Sequence, residues 1–175
     1  TLGSALRRIM LSSIVGSSIT EVSIEGVQHE YSTIEGVQED VIDIMLNLKD
    51  VSFKMNGNSS ATLTLAKNEV GLVTASDIEL KNDIEIVNPN HVIANITTKG
   101  ASLNMQIEVS EGIGYSSAGQ RIHDDNRIVG SLLVDASYSP IKKVSYKVDS
   151  ARVEQRTDLD KLIIELETDG SIDPE

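Results

Sequence analysis

The opening stretch of the chain carries two patterns at once. Leu2, Ala5, Leu6, Ile9 and Met10 fall on one stripe at about 100° per residue, whereas Leu11 stands on the other side between Arg7 and Arg8. The spacing predicts a helix to about Ser13, ended by Gly16. A single amphipathic core helix with a stray leucine has this pattern; so does a helix that packs on one side and meets a partner through Arg7, Arg8 and Leu11. Next, Thr20, Val22 and Ile24 alternate with Glu21 and Ser23, which predicts a strand over 18–25 closed by Gly26.

A second helix is predicted from a capping box, Ser32 with Glu35, followed by Ile34, Val37, Val41, Ile44, Met45 and Leu48 on one stripe. Glu39, Asp40, Asp43 and Asn47 lie opposite, and Lys49 near the end suits the helix dipole. From Val51 to Val134 the pattern changes to short alternating runs. Val51, Phe53 and Met55 precede Asn56-Gly57-Asn58, and Ala61, Leu63 and Leu65 follow it, which predicts a hairpin. Val92, Ala94 and Ile96 form a weaker strand pattern, and Leu103, Met105, Ile107 and Val109 an unbroken one with Asn104, Gln106 and Glu108 turned to water. The Gly-, Ser- and Asp-rich stretch from Gly112 to Asn126 is predicted to be a mobile loop. Two further strands, 142–153 and 161–168, are predicted with 155–160 between them.

Composition narrows the chemistry. Hydrophobic residues make up 39% and charged ones 24% of 175 residues, with one Phe and no Trp, so the core must be built from Ile, Val and Leu. No Cys is present, which excludes disulfides and thiol catalysis. A formal charge of −12 makes the chain a poor ligand for phosphate backbones, because that binding relies on Lys and Arg displacing counterions. No run of about 18 apolar residues occurs.

A search for catalytic groups finds none. His29, His91 and His123 show no metal-binding spacing. The segment 112–117 is glycine-rich but fits neither GxxxxGK[ST] nor GxGxxG, and there is no GxSxG elbow. The paired carboxylates Glu39-Asp40, Asp124-Asp125 and Asp158 with Asp160 read as solvated faces and loops. Neither a metal nor a cofactor is expected. The Arg7-Arg8 pair fits protein contact better than phosphate, since no wider basic surface surrounds it.

Four blocks resemble the bacterial RNA polymerase α subunit. They are Thr1-Leu2-Gly3-x-Ala5-Leu6-Arg7-Arg8, the string from His29 to Asp40, Leu133-Val134-Asp135-Ala136-x-Tyr138-Ser139-Pro140, and the string from Arg152 to Leu162. They occur in the family's order and span nearly the whole chain. The resemblance implies an α+β fold in which a discontinuous dimerisation domain, 1–16 and 140–175, is interrupted by a mostly β insert domain, 17–139. It implies a non-catalytic assembly scaffold for DNA-dependent RNA polymerase, a nucleotidyltransferase whose active site lies in other subunits. The scaffold would form a homodimer that docks the β and β′ subunits, reach DNA only through the holoenzyme, have no membrane partner, and reside in the cytoplasm at the nucleoid.

Carried over by position, Arg8, Leu11 and Asp43 match residues that contact the β subunit, and Lys49, Val134, Ile141 and Lys161 match residues associated with β′ docking. Leu2, Leu6, Ile9 and Met10 are assigned to the dimer interface. Val134 and Ile141 could equally be strand core, and Lys49 and Lys161 solvated ends. Asp124-Asp125 matches a loop, shorter in this chain, that is acidic and accepts a basic activator in some members. His29-Glu30-Tyr31-Ser32 could serve as a contact or as a turn. The chain begins inside a predicted helix, and Asp173-Pro174-Glu175 reads as the start of another, so a piece of a longer protein is expected. A free-standing acidic β-rich binding module would share the composition but leave the Arg7, Arg8, Leu11 face idle. A small hydrolase would need a convergent His–carboxylate pocket that the sequence does not offer.

Overall fold

A computed structural model describes residues 2–81, 83–122 and 130–175. Within them α1 (Leu2–Ser12) leads into the long strand β1 (Val15–Ile24), and α2 (Val41–Lys49) follows. Eight strands come next: β2 (Phe53–Lys54), β3 (Ser60–Lys67), β4 (Gly71–Thr74), β5 (Ile78–Glu79), β6 (Glu85–Ile86), β7 (Val92–Ile96), β8 (Leu103–Ile113) and β9 (Tyr115–Ser116). A short 3-10 turn, Ala118–Arg121, precedes β10 (Leu132–Leu133) and β11 (Ala136–Ser137). The hairpin of β12 (Ile141–Val153) and β13 (Arg156–Thr168) comes last. The fold is α+β with antiparallel pairing.

The central sheet has the order β10-β1-β8-β3-β5. Its inner face is the predicted alternation made physical: Leu103, Met105, Ile107 and Val109 of β8 beside Ala61, Leu63 and Leu65 of β3 are buried. Above them pack Val41, Ile44 and Leu48 of α2 and Ile93, Ala94 and Ile96 of β7. Such burial is worth about 1.5–3 kcal/mol for each large side chain and is the main source of cohesion. In β1 the register slips by one between Ile19 and Glu21, leaving Thr20 as the extra residue of a bulge. Ile19 and Val22, three apart, are therefore both buried.

Several predicted elements fold differently. The second helix begins at Val41, with Asp40 as its N-cap, and no capping box forms at Ser32 and Glu35. Gly36 adopts φ +81°, outside the helical region, and the segment bonds sideways to β7. The Gln38 N–H donates to the Asn95 carbonyl, the Thr97 N–H to the Gly36 carbonyl, and Glu39 accepts the Asn95 N–H at 2.7 Å. Ile34 and Val37 still pack against the core, which is why they matched the stripe.

The Asn56-Gly57 turn is present, but its two flanks do not pair with each other. β2 pairs with β6, while β3 enters the central sheet between β8 and β5. Gly16 does not end α1, which stops at Ser12, but lies inside β1 directly opposite Gly112 of β8. A Cβ at Gly16 would fall 1.7 Å from the Tyr138 carbonyl oxygen, so this glycine is required by a chain crossing over the ladder. The stretch from Gly112 to Ile122 carries regular structure, since β9 pairs with β11 and Asp135 accepts the Ala118 N–H, and positions 123–126 of the predicted loop lie outside the described residues. β12 and β13 join through a tight turn at Glu154-Gln155, with Glu154 at φ +55°, so the second strand starts five residues earlier than predicted. Helix α1 packs against β12, with Gly3 seated on the Tyr146 ring.

Candidate protein-docking surfaces

The helix α1 and the β12–β13 hairpin form one surface. Residues paired across the hairpin share a face, and Val144, Tyr146, Val148, Leu162, Ile164 and Leu166 make one face largely apolar. Gly3 meets Tyr146 there, and the Arg7 Nε–H donates to the Val144 carbonyl at 3.0 Å. Arg7 thus gives one N–H to the chain's own packing while the residue remains exposed. Turned away from that contact, Leu2 is 67% and Ile9 54% exposed, with Leu6 and Met10 half-buried and Val148 of the hairpin 56% exposed. The apolar stripe of α1 is therefore only partly covered by the chain itself. Arg8 is exposed and Leu11 half-buried, so Arg8 is the open member of that predicted pair.

The second surface lies between α2 and the segment Leu133–Asp135. An open groove of about 320 Å³ is lined by Ile42, Leu46 and Lys49 of α2 and by Leu133, Val134 and Asp135, with Tyr31 also in its lining. Leu46 is 54% exposed and Tyr31 more so, which gives the groove an apolar rim. Of the four residues matched to β′ docking, the structure brings together Lys49 and Val134. Ile141 begins β12, and Lys161 lies opposite Asp149 on the hairpin.

Burial sorts these residues further. Val134 is 3% and Ile141 5% exposed, so both side chains serve the chain's own interior, and any docking role is exerted through the surface they support. Lys49, Lys161 and Asp43 are exposed. His29 is exposed, its Nδ1 3.4 Å from Ser32 Oγ, and Ser32 N–H donates to the His29 carbonyl, so the string from His29 to Ser32 forms a turn. His91 Nε2 lies 2.9 Å from the Asn47 carbonyl oxygen. Thr1, His123 and the pair Asp124-Asp125 lie outside the described residues. Among the described residues no group of three His, Asp or Glu is placed to hold a metal ion, and no helix is long and apolar enough to cross a membrane.

Electrostatics mark the same groove. The Asp135 carboxyl is held below its ordinary value, first by the Ala118 N–H and then by the Tyr115 hydroxyl, Lys49 and Arg121. Tyr115 is shifted the other way: lost hydration and the Asp135 carboxylate keep its proton on. Sequence reasoning missed both Asp135 as a charged group and Arg121 altogether. Arg121 stands in a glycine- and serine-rich stretch with no periodicity, and its partners are backbone carbonyls distant in sequence.

A family model described as the RNA polymerase Rpb3/RpoA insert domain covers residues 22–139, well over half of the chain. The chain belongs to that family. It is an α/Rpb3-type subunit of DNA-directed RNA polymerase, an assembly subunit that interacts with other polymerase subunits in transcription.

Proposed function

We propose that this subunit is the bacterial-type α scaffold, dimerising through α1 and docking the β and β′ subunits through separate surfaces. The observation that carries the reading is the outer stripe of α1, Leu2 and Ile9, left open although each is large and apolar. A protein that binds a copy of itself and two different large partners needs more than one such surface. Leu2, Leu6, Ile9 and Met10 supply the dimer contact. Arg8, Leu11 and Asp43 face the β subunit, and the groove edged by Lys49 over Val134 faces β′, with Ile141 and Lys161 extending that side. The dimerisation domain comprises 1–16 and 140–175, and 17–139 is the insert. A polymerase subunit of this kind works in the cytoplasm, at the nucleoid. Membership of the polymerase family removes the reason for a free-standing acidic module.

Titrating the full chain into purified β subunit tests the assignment. A stable complex is expected, weakened by about 1–3 kcal/mol in Arg8→Ala, as for an interfacial arginine. Leu11→Asp is expected to keep its circular dichroism spectrum and lose assembly. Normal binding by Arg8→Ala, or no complex at all, refutes the contact assignment.

A further inference from the structure

The Thr20 carbonyl continues the β1–β10 register, accepting the Val134 N–H at 2.9 Å, and also takes an Arg121 Nη1–H at 3.0 Å. The other terminal nitrogen of Arg121, Nη2, donates to the Val134 carbonyl and, at 3.4 Å, to that of Ser116. One guanidinium therefore ties three separate backbone segments, and both backbone polar groups of Val134 are engaged. The circuit closes in the opposite direction, since Asp135 accepts the Ala118 N–H at 2.7 Å from the same short turn that carries Arg121. Nε of Arg121 is buried without a hydrogen-bond partner among the described residues. A buried donor left unmatched costs stability, so this guanidinium is held where it is by the three carbonyls it does reach.

We propose that Arg121 is the positioning residue of the α2 groove: it fixes the wall formed by Leu133, Val134 and Asp135 at the spacing that the β′ subunit needs opposite Leu46 and Lys49. The inference rests on the reading of that groove as the β′ surface. A wall held in place before docking spares the partner the cost of ordering it, so the benefit appears as affinity. Only arginine suits the task, because its planar fork reaches carbonyls on two sides at once, whereas lysine brings a single compact charge.

The test uses the full-length chain and purified β′, with Arg121→Lys and Arg121→Met measured beside Leu46→Ala and Lys49→Ala. Both Arg121 variants are expected to bind β′ about tenfold more weakly, the loss expected when hydrogen bonds to a charged donor disappear. The loss should be non-additive with Leu46→Ala, because both act on one groove. Binding of the β subunit and self-association should stay at wild-type strength. Normal β′ affinity in both Arg121 variants, while Leu46→Ala and Lys49→Ala weaken it, overturns the role of Arg121 and leaves the groove reading intact. Normal β′ affinity in all four variants overturns the groove reading and this inference with it. If Arg121→Lys lowers β′ binding, β binding and self-association together, or fails to fold, Arg121 is a general structural residue and the proposal is wrong.

Discussion

Gly16→Ala is a small change that this structure makes expensive. The added Cβ would stand 1.7 Å from the Tyr138 carbonyl oxygen, 2.9 Å from its carbon and 3.0 Å from Pro140 Cδ. To reach the 3.0 Å below which real Cβ contacts are not found, the carbonyl must retreat by about 1.3 Å. That movement pulls on the Tyr138 N–H bond to the Gly114 carbonyl, 2.8 Å long, and on the buried Tyr138 ring. Overpacking of this sort costs about 1–3 kcal/mol and the strained hydrogen bond about 1 more, against a gain of roughly 0.4–1 from stiffening the unfolded chain. The net loss is about 1–3.6 kcal/mol, a sizeable share of the roughly 5–15 that holds a domain together.

Urea unfolding monitored by circular dichroism reads this as a lower midpoint at unchanged slope. Gly112→Ala on the facing strand provides an internal control, because its Cβ would meet Tyr138 ring atoms at 2.8–2.9 Å rather than main chain. A ring tilts and a backbone does not, so that variant should lose only about 1–2 kcal/mol. Removing the ring with Tyr138→Ala should relieve the Gly112→Ala clash but not the Gly16→Ala clash. A Gly16→Ala protein as stable as wild type, or one rescued by Tyr138→Ala, refutes the argument.

Other expectations follow from the same contacts. Leu63→Ala should cost about 2–5 kcal/mol in the same unfolding assay, since the side chain is fully buried in the core beside Ile107 of β8. Asp135 has a folded-state pKa below its ordinary 3.8, so its contribution is present above that value and lost as pH falls through the lower folded one; Asp135→Asn should flatten stability in this acid range. Tyr115 is raised above 10.0, so its contribution is present below pH 10.0 and lost as pH climbs through the folded value; Tyr115→Phe should remove that alkaline step. Ile9→Asp should leave the melting curve in place because the residue is exposed, while abolishing self-association measured by sedimentation.

The parts of this fold visible in the sequence are those governed by local periodicity. The β8 alternation from Leu103 to Val109 and the α1 stripe map directly onto buried and half-open faces. What escaped depends on residues far apart. Gly16 resembles a helix stop until Tyr138 crosses above it, and Ser32 with Glu35 resembles a capping box until Gly36 turns the chain onto β7. The partners of β2 and β3 were likewise not legible, because a turn at Asn56-Gly57 specifies a reversal but not which strands then meet. At the proposed docking surfaces Arg8 and Lys49 could be named through the family resemblance, and both are exposed. Arg121 could not, since its value lies in three carbonyls that only the folded backbone brings together.

Short-range photocrosslinkers placed at Arg8 and, separately, at Leu46 of the full chain within assembled polymerase examine both surfaces in one measurement. The adduct from position 8 should be with the β subunit and that from position 46 with β′. An assembled polymerase in which both positions remain uncrosslinked, or react only with a second copy of this chain, contradicts the scaffold reading.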